Sequence, residues 1–199
     1  MHVWRERLRR WFEPMARRCP LSPNSITVLA LLINVGGAWL LYSRHFAVAI
    51  ICIIVGGLAD AFDGIVARVQ GKSSRYGDFL DHFADRVSDT LVVTGWLLGS
   101  GVRVELAVAA IIAVMLSGYI GTQIEATWHE REYETVGRGE FVLALIVFPL
   151  VSLILFDNGW QGTTLATLTI PEWLTILLLA FAALGIFQRL QLAARLGRT

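Results

Sequence analysis

Residues 60–85 read DAFDGIVARVQGKSSRYGDFLDHFAD, and the wider stretch from Gly56 to Asp89 holds six of the chain's sixteen acids. Asp60, Asp63, Gly64, Ala67 and Gly71 follow one another at i, i+3, i+4, i+7 and i+11, which places them on one stripe of a helix. Gly77, Asp81, Asp85 and Asp89 recur at steps of four along the next helix. The short basic connection from Gly71 to Tyr76 makes the two helices antiparallel neighbours. Asp60 and Asp63 lie before the connection and Asp81 and Asp85 after it, so the two pairs meet at similar depth.

The surroundings make that meeting unusual. The chain has 199 residues, is 55% hydrophobic and 17% charged, and has a mean hydropathy of +0.60. Apolar runs of roughly 20 residues recur along it, the pattern of a polytopic membrane protein. Six spans are predicted, over 25–42, 46–69, 77–98, 105–124, 141–156 and 173–190. The expected fold class is therefore all-α, a bundle of six transmembrane helices in one membrane domain over residues 24–199. Residues 1–23 precede it as an interfacial amphipathic helix and linker. There Trp4, Leu8, Trp11, Phe12 and Met15 recur at helical spacing among six arginines, a pattern suited to the headgroup layer. These Arg- and Trp-rich first residues do not read as a cleavable signal peptide.

Arginine and lysine bias sets the orientation. Arg5, Arg7, Arg9, Arg10, Arg17, Arg18, Arg68, Lys72, Arg75, Arg131, Arg138, Arg195 and Arg198 fall on one face, against Arg44 and Arg103 on the other. Both termini and the acidic stretch are then expected on the cytosolic side. Cys19 and Cys52 show no metal-type spacing and no disulfide framework. Nothing in the pattern points to a nucleic-acid partner.

An aspartate on an isolated span costs about 2.5–3.5 kcal/mol to insert, and mutual repulsion adds to that. Divalent cations solve both problems. The ligands are carboxylates; His82 stands one residue from Asp81, a step that turns it away by about 100°. Oxygen-only ligation points to Mg²⁺, Mn²⁺ or Ca²⁺, and four carboxylates suffice for two ions bridging phosphate oxygens. Gly64, Ala67 and Gly77 clear side chains from the same slot, and Arg68 at its mouth suits a phosphate or diphosphate.

The pattern D-x2-D-G-x2-A-R-x8-G-x3-D-x3-D, formed by Asp60, Asp63, Gly64, Ala67, Arg68, Gly77, Asp81 and Asp85, resembles the signature of the CDP-alcohol phosphotransferases. These are integral membrane enzymes of phospholipid head-group synthesis. The resemblance implies that Asp60, Asp63, Asp81 and Asp85 ligate two Mg²⁺ or Mn²⁺ ions, and that Asp85 also takes the proton of the acceptor hydroxyl. It implies that Gly64, Ala67, Arg68, Ser74 and Gly77 hold the cytidine diphosphate of a CDP-activated lipid, CDP-diacylglycerol or CDP-archaeol. Asn24, in the Pro23-Asn24 pair before the first span, would help close that pocket. A homodimer is also implied.

The acceptor is a small polar alcohol that the signature does not name. The segments GYIGTQIEA (118–126) and VGRGE (136–140) look like the inositol-phosphate branch, although GTQIEA lacks a basic residue usual there. Arg138 and Arg189 are the candidates for the acceptor's phosphate. Glycerol phosphate and serine are the alternative acceptors. A UbiA-type prenyltransferase would need a longer bundle, and a Mg²⁺ transporter would spread its acids across the membrane depth.

Overall fold

The computed structural model describes residues 12–128 and 138–197. Within them the chain is almost entirely helical. Helix α1 is described over residues 12–18, and six long helices follow: α2 (Pro23–Tyr42), α3 (Phe46–Val69), α4 (Arg75–Gly99), α5 (Val104–Trp128), α6 (Arg138–Asp157) and α7 (Ile170–Leu196). Each long helix overlaps a predicted span, with ends that differ by six residues or fewer. The polar connection before α7 carries a small hairpin, Thr164–Leu165 paired antiparallel with Leu168–Thr169.

Local chemistry sets the helix ends. Ser22 caps α2 by accepting from the Ser25 amide at 3.1 Å, with Pro23 at the first helical position. Ser74 caps α4 by accepting from the Gly77 amide at 3.0 Å. Thr169 and Glu172 form a reciprocal capping box on α7, and Arg103 reaches Glu172 at 2.6 Å. Gly71 does not continue the stripe of α3: the helix ends at Val69, and Gly71 turns the chain at a φ of +64°.

Helices α2, α3, α5 and α7 are long and apolar enough to cross a membrane. Helix α4 is set apart by Asp78, Asp81, Asp85, Arg86 and Asp89, and α6 by its shorter apolar stretch, Phe141–Asp157. Of the predicted amphipathic N-terminal helix, Trp4, Leu8 and Trp11 lie outside the described residues. Phe12 packs on Phe62 of α3 with ring centroids 5.7 Å apart, and Ala16 is fully buried against α2 and α3. Gln70 donates to the Ala16 and Cys19 carbonyls, each at 2.9 Å, and so ties the end of α1 to the end of α3.

Helix α2 organises the half of the bundle that carries the acids. It packs on both α3 and α4, whereas the backbones of α3 and α4 scarcely approach one another. They are joined by a short connection as expected, but they are splayed rather than directly packed. On the α4 side, Gly95 and Gly99 lie against the Ala38 and Leu41 carbonyls of α2, so closely that a Cβ at either glycine would overlap them. On the α3 side, the Asn34 amide fills the space left by Gly56, and its nitrogen donates to Ser88 of α4 at 3.3 Å. Such an interhelical hydrogen bond contributes about 0.6 kcal/mol.

The other half is built by α5 against α7 and by α6 against α3. Its core continues that of the first half through Trp96 of α4, whose ring is tilted at 44° to Phe148 with centroids 5.3 Å apart and which donates to Ser152 at 2.9 Å.

Candidate functional site

The splay of α3 and α4 leaves a slot, and the acids line it. One carboxylate oxygen from each of Asp60, Asp63 and Asp81 lies within 4.8 Å of the others, which unites the two helices. A second triad, Asp81, His82 and Asp85, meets the same criterion and shares Asp81 with the first. The four predicted aspartates therefore converge, in two groups joined at one residue. The donor set, spacing and local charge fit divalent cations: carboxylates this close repel unless cations lie between them.

Asp63 is buried at 4% exposure and is held from behind, where the Thr27 hydroxyl of α2 donates to its Oδ2 at 2.5 Å. The same hydroxyl is 3.1 Å from the Pro23 carbonyl. Asp85 is also buried, at 7% exposure. Thr27 was missed in sequence reading because a threonine in an apolar run carries no signal until the facing residue is known.

The expectation that His82 faces away from the acids is corrected. The 100° step from Asp81 is real, but His82 and Asp85 stand at i, i+3 and so are neighbours on the helix surface. The imidazole arm is long enough to bring a ring nitrogen into the Asp81–Asp85 group.

Toward the connection, the residues expected to hold the nucleotide also gather. At Gly77 an added Cβ would stand 3.2 Å from Ser74 Oγ and 3.3 Å from Asn24 Oδ1, so the start of α2 and the cap of α4 meet over this glycine. Arg68 extends back over Gly64, with its guanidinium 3.7 Å from where a Cβ would be. Ala67 is half-buried one residue before it. The small residues thus leave a groove with a cation at its rim.

A second polar region lies against α5. Arg189 of α7 donates to the Ser117 carbonyl at 2.8 Å and to the Ser117 hydroxyl, and it passes over Gly121. Arg86 of α4 lies against Gly118, one turn away on α5, and pairs with Asp89 at 3.5 Å. The two arginines are near enough for the charge of one to act on the other. The approach of Arg86 to Arg189 depends on α4 and α7 meeting α5 at the same level. Arg138 begins α6, and its side chain lies outside the described residues.

Residues 20–187 match the CDP-alcohol phosphatidyltransferase family over most of the chain. The chain belongs to that family. It is an enzyme of phospholipid biosynthesis and, with its apolar helices, an integral membrane protein. The chain is 30% identical over 135 residues to the archaetidylinositol phosphate synthase of Pyrococcus horikoshii, which covers 67% of this chain and 72% of the relative. It is 22% identical to the archaetidylinositol phosphate synthase of Methanothermobacter thermautotrophicus over 96% of this chain and 91% of the relative. The crystal structure of the Mycobacterium tuberculosis phosphatidylinositol phosphate synthase in complex with manganese and citrate superposes with a TM-score of 0.71 at 25% identity, covering 90% of this chain and 87% of that one.

Proposed function

We propose that this CDP-alcohol phosphatidyltransferase moves the phospholipid moiety of a CDP-activated lipid, CDP-diacylglycerol or CDP-archaeol, onto the hydroxyl of an inositol phosphate and releases CMP. The convergence of Asp60, Asp63, Asp81 and Asp85 in the α3–α4 slot carries the reading. The relatives named as inositol-phosphate lipid synthases favour this acceptor, and Arg86 of α4 and Arg189 of α7, which meet against α5, supply the cations a phosphorylated alcohol needs.

In this mechanism Asn24, Gly64, Ala67, Arg68, Ser74 and Gly77 hold the cytidine diphosphate at the mouth of the slot. Arg189, with Arg86 beside it and Arg138 from α6, orients the acceptor phosphate. The acceptor hydroxyl then faces the lipid-proximal phosphorus. A bond forms from the hydroxyl oxygen to that phosphorus, the bond from phosphorus to the CMP oxygen breaks, and CMP leaves with the electron pair. Asp85 takes the hydroxyl proton. Two Mg²⁺ or Mn²⁺ ions, held by the four aspartates, supply neutralisation of the diphosphate and of the leaving phosphate.

The same reading has α2 to α7 crossing the membrane as six spans of one domain over residues 24–199. Residues 1–23 lie in the interface as an amphipathic helix. Both termini and the slot face the cytosol, where the arginines and lysines concentrate, and two copies assemble as a homodimer. The acids within α4 do not argue against a crossing, because Asp81 and Asp85 join the acidic groups of the slot and Asp89 pairs with Arg86.

The test is CMP release by purified protein in lipid, with a CDP-activated lipid, Mg²⁺ or Mn²⁺, and separate additions of inositol phosphate, glycerol phosphate, serine and inositol. Release that requires inositol phosphate supports the reading. Release with glycerol phosphate or serine instead keeps the reaction and replaces the acceptor. Failure to bind the CDP-lipid sinks the proposal.

A further inference from the structure

We propose that His82 is a nitrogen ligand of the metal centre, on its Asp81–Asp85 side, and that it gives this side a preference for Mn²⁺ over Mg²⁺. The proposal rests on the metal-dependent reading above and adds a ligand to it.

The two triads that share Asp81 differ in chemistry. Asp60, Asp63 and Asp81 offer oxygen alone, while Asp81, His82 and Asp85 offer two oxygens and a ring nitrogen within 4.8 Å of one another. Donors on a common ion, at bonds of about 2.1–2.2 Å, stand about 3–4.4 Å apart. A small rotation of the side chains therefore brings the three onto one ion. Backbone geometry allows it, since His82 and Asp85 are i, i+3 neighbours and Asp81 and Asp85 are i, i+4 neighbours on α4. His82 is half-buried and Asp85 buried, so the nitrogen competes with little bulk water at this position.

The consequence is a centre with two unlike positions. Mg²⁺ demands oxygen ligands and near-ideal octahedral geometry, which suits the side built on α3. Imidazole adds affinity for first-row transition ions and little for Mg²⁺. An ion on the α4 side is also the one next to Asp85, the proposed proton acceptor.

The test is electron spin-echo envelope modulation of Mn²⁺ bound to the full-length protein in lipid nanodiscs. The wild type is expected to show ¹⁴N modulation that changes to a ¹⁵N pattern on ¹⁵N-histidine labelling. The modulation disappears in His82→Gln and persists in His45→Gln, whose histidine stands at the opposite end of α3. In a parallel titration, His82→Ser lowers Mn²⁺ affinity and leaves Mg²⁺ affinity unchanged. Bound Mn²⁺ without ¹⁴N modulation, or modulation that survives His82→Gln, overturns the assignment while the aspartate centre stands. Equal losses of Mn²⁺ and Mg²⁺ affinity in His82→Ser also overturn it, since they indicate a disturbed helix. Absence of any bound Mn²⁺ removes the metal centre and this ligand with it.

Discussion

The Thr27 hydroxyl on α2 donates to Asp63 Oδ2 on α3 at 2.5 Å, which couples the central helix of the bundle to a metal-site carboxylate. The bond restrains the rotamer of a buried acid. Thr27→Val keeps the volume and removes the donor. Metal affinity is expected to fall 10–100-fold, the usual cost of losing a group that orients a ligand, while Thr27→Ser stays within a few-fold of wild type. Isothermal titration with Mn²⁺ on both variants checks this, and equal affinities for Val and Ser would remove Thr27 from the site.

Asp85 is assigned two duties, holding a cation and taking a proton. Asp85→Asn retains a ligand oxygen but loses the base and one negative charge. Turnover is expected to fall by about 10²–10⁴, with CDP-lipid binding kept within about tenfold. Single-turnover CMP release together with equilibrium binding of the CDP-lipid separates the two. A variant with normal turnover would return the base to another group.

Gly118 makes room for Arg86, since a Cβ at this position would overlap one of the guanidinium nitrogens. The obstructing atom is the end of a flexible arm, so Gly118→Ala displaces Arg86 and leaves the helices in place. The KM for the phosphorylated acceptor is expected to rise about tenfold, the loss of one charge-assisted contact of about 1.4 kcal/mol. The KM for CDP-lipid and the thermal midpoint should not change. A rise in both KM values would show that Arg86 serves the site as a whole and not the acceptor alone.

Gly95 presents the opposite case, because the obstructing atom is the Ala38 backbone carbonyl of α2, which cannot rotate away. Gly95→Val is expected to force α2 and α4 apart at a cost of about 1–3 kcal/mol. It should lower the thermal midpoint in detergent and the CDP-lipid affinity together, because α2 also carries Asn24 and Thr27. An unchanged midpoint would mean that α4 tilts freely about this crossing.

The acidic site was legible in sequence because its residues sit on two consecutive helices joined by a short connection. Helical periodicity alone put Asp60 beside Asp63 and Asp81 beside Asp85, and hydropathy marked out all six long helices to within a turn or two. Periodicity misjudged His82, because the offset from Asp81 was weighed and the i, i+3 relation to Asp85 was not. It also carried the stripe of α3 through Gly71, where a positive φ had already ended the helix.

What the sequence by itself determined was local: which segments are helices, which side chains share a face, and that close carboxylates in an apolar chain call for cations. Those properties depend on the backbone repeat and on the desolvation cost of charge, and both act over a few residues. The tertiary structure decided the splay of α3 and α4 around α2, the contact of Thr27 with Asp63, the meeting of Asn24 with Ser74 over Gly77, and the approach of Arg86 to Arg189. These depend on which helix backbones can come close. Glycines such as Gly95 and Gly99 set that only when the surface opposite them is known, and pairs such as Ser117 and Arg189, 72 residues apart, meet only through packing.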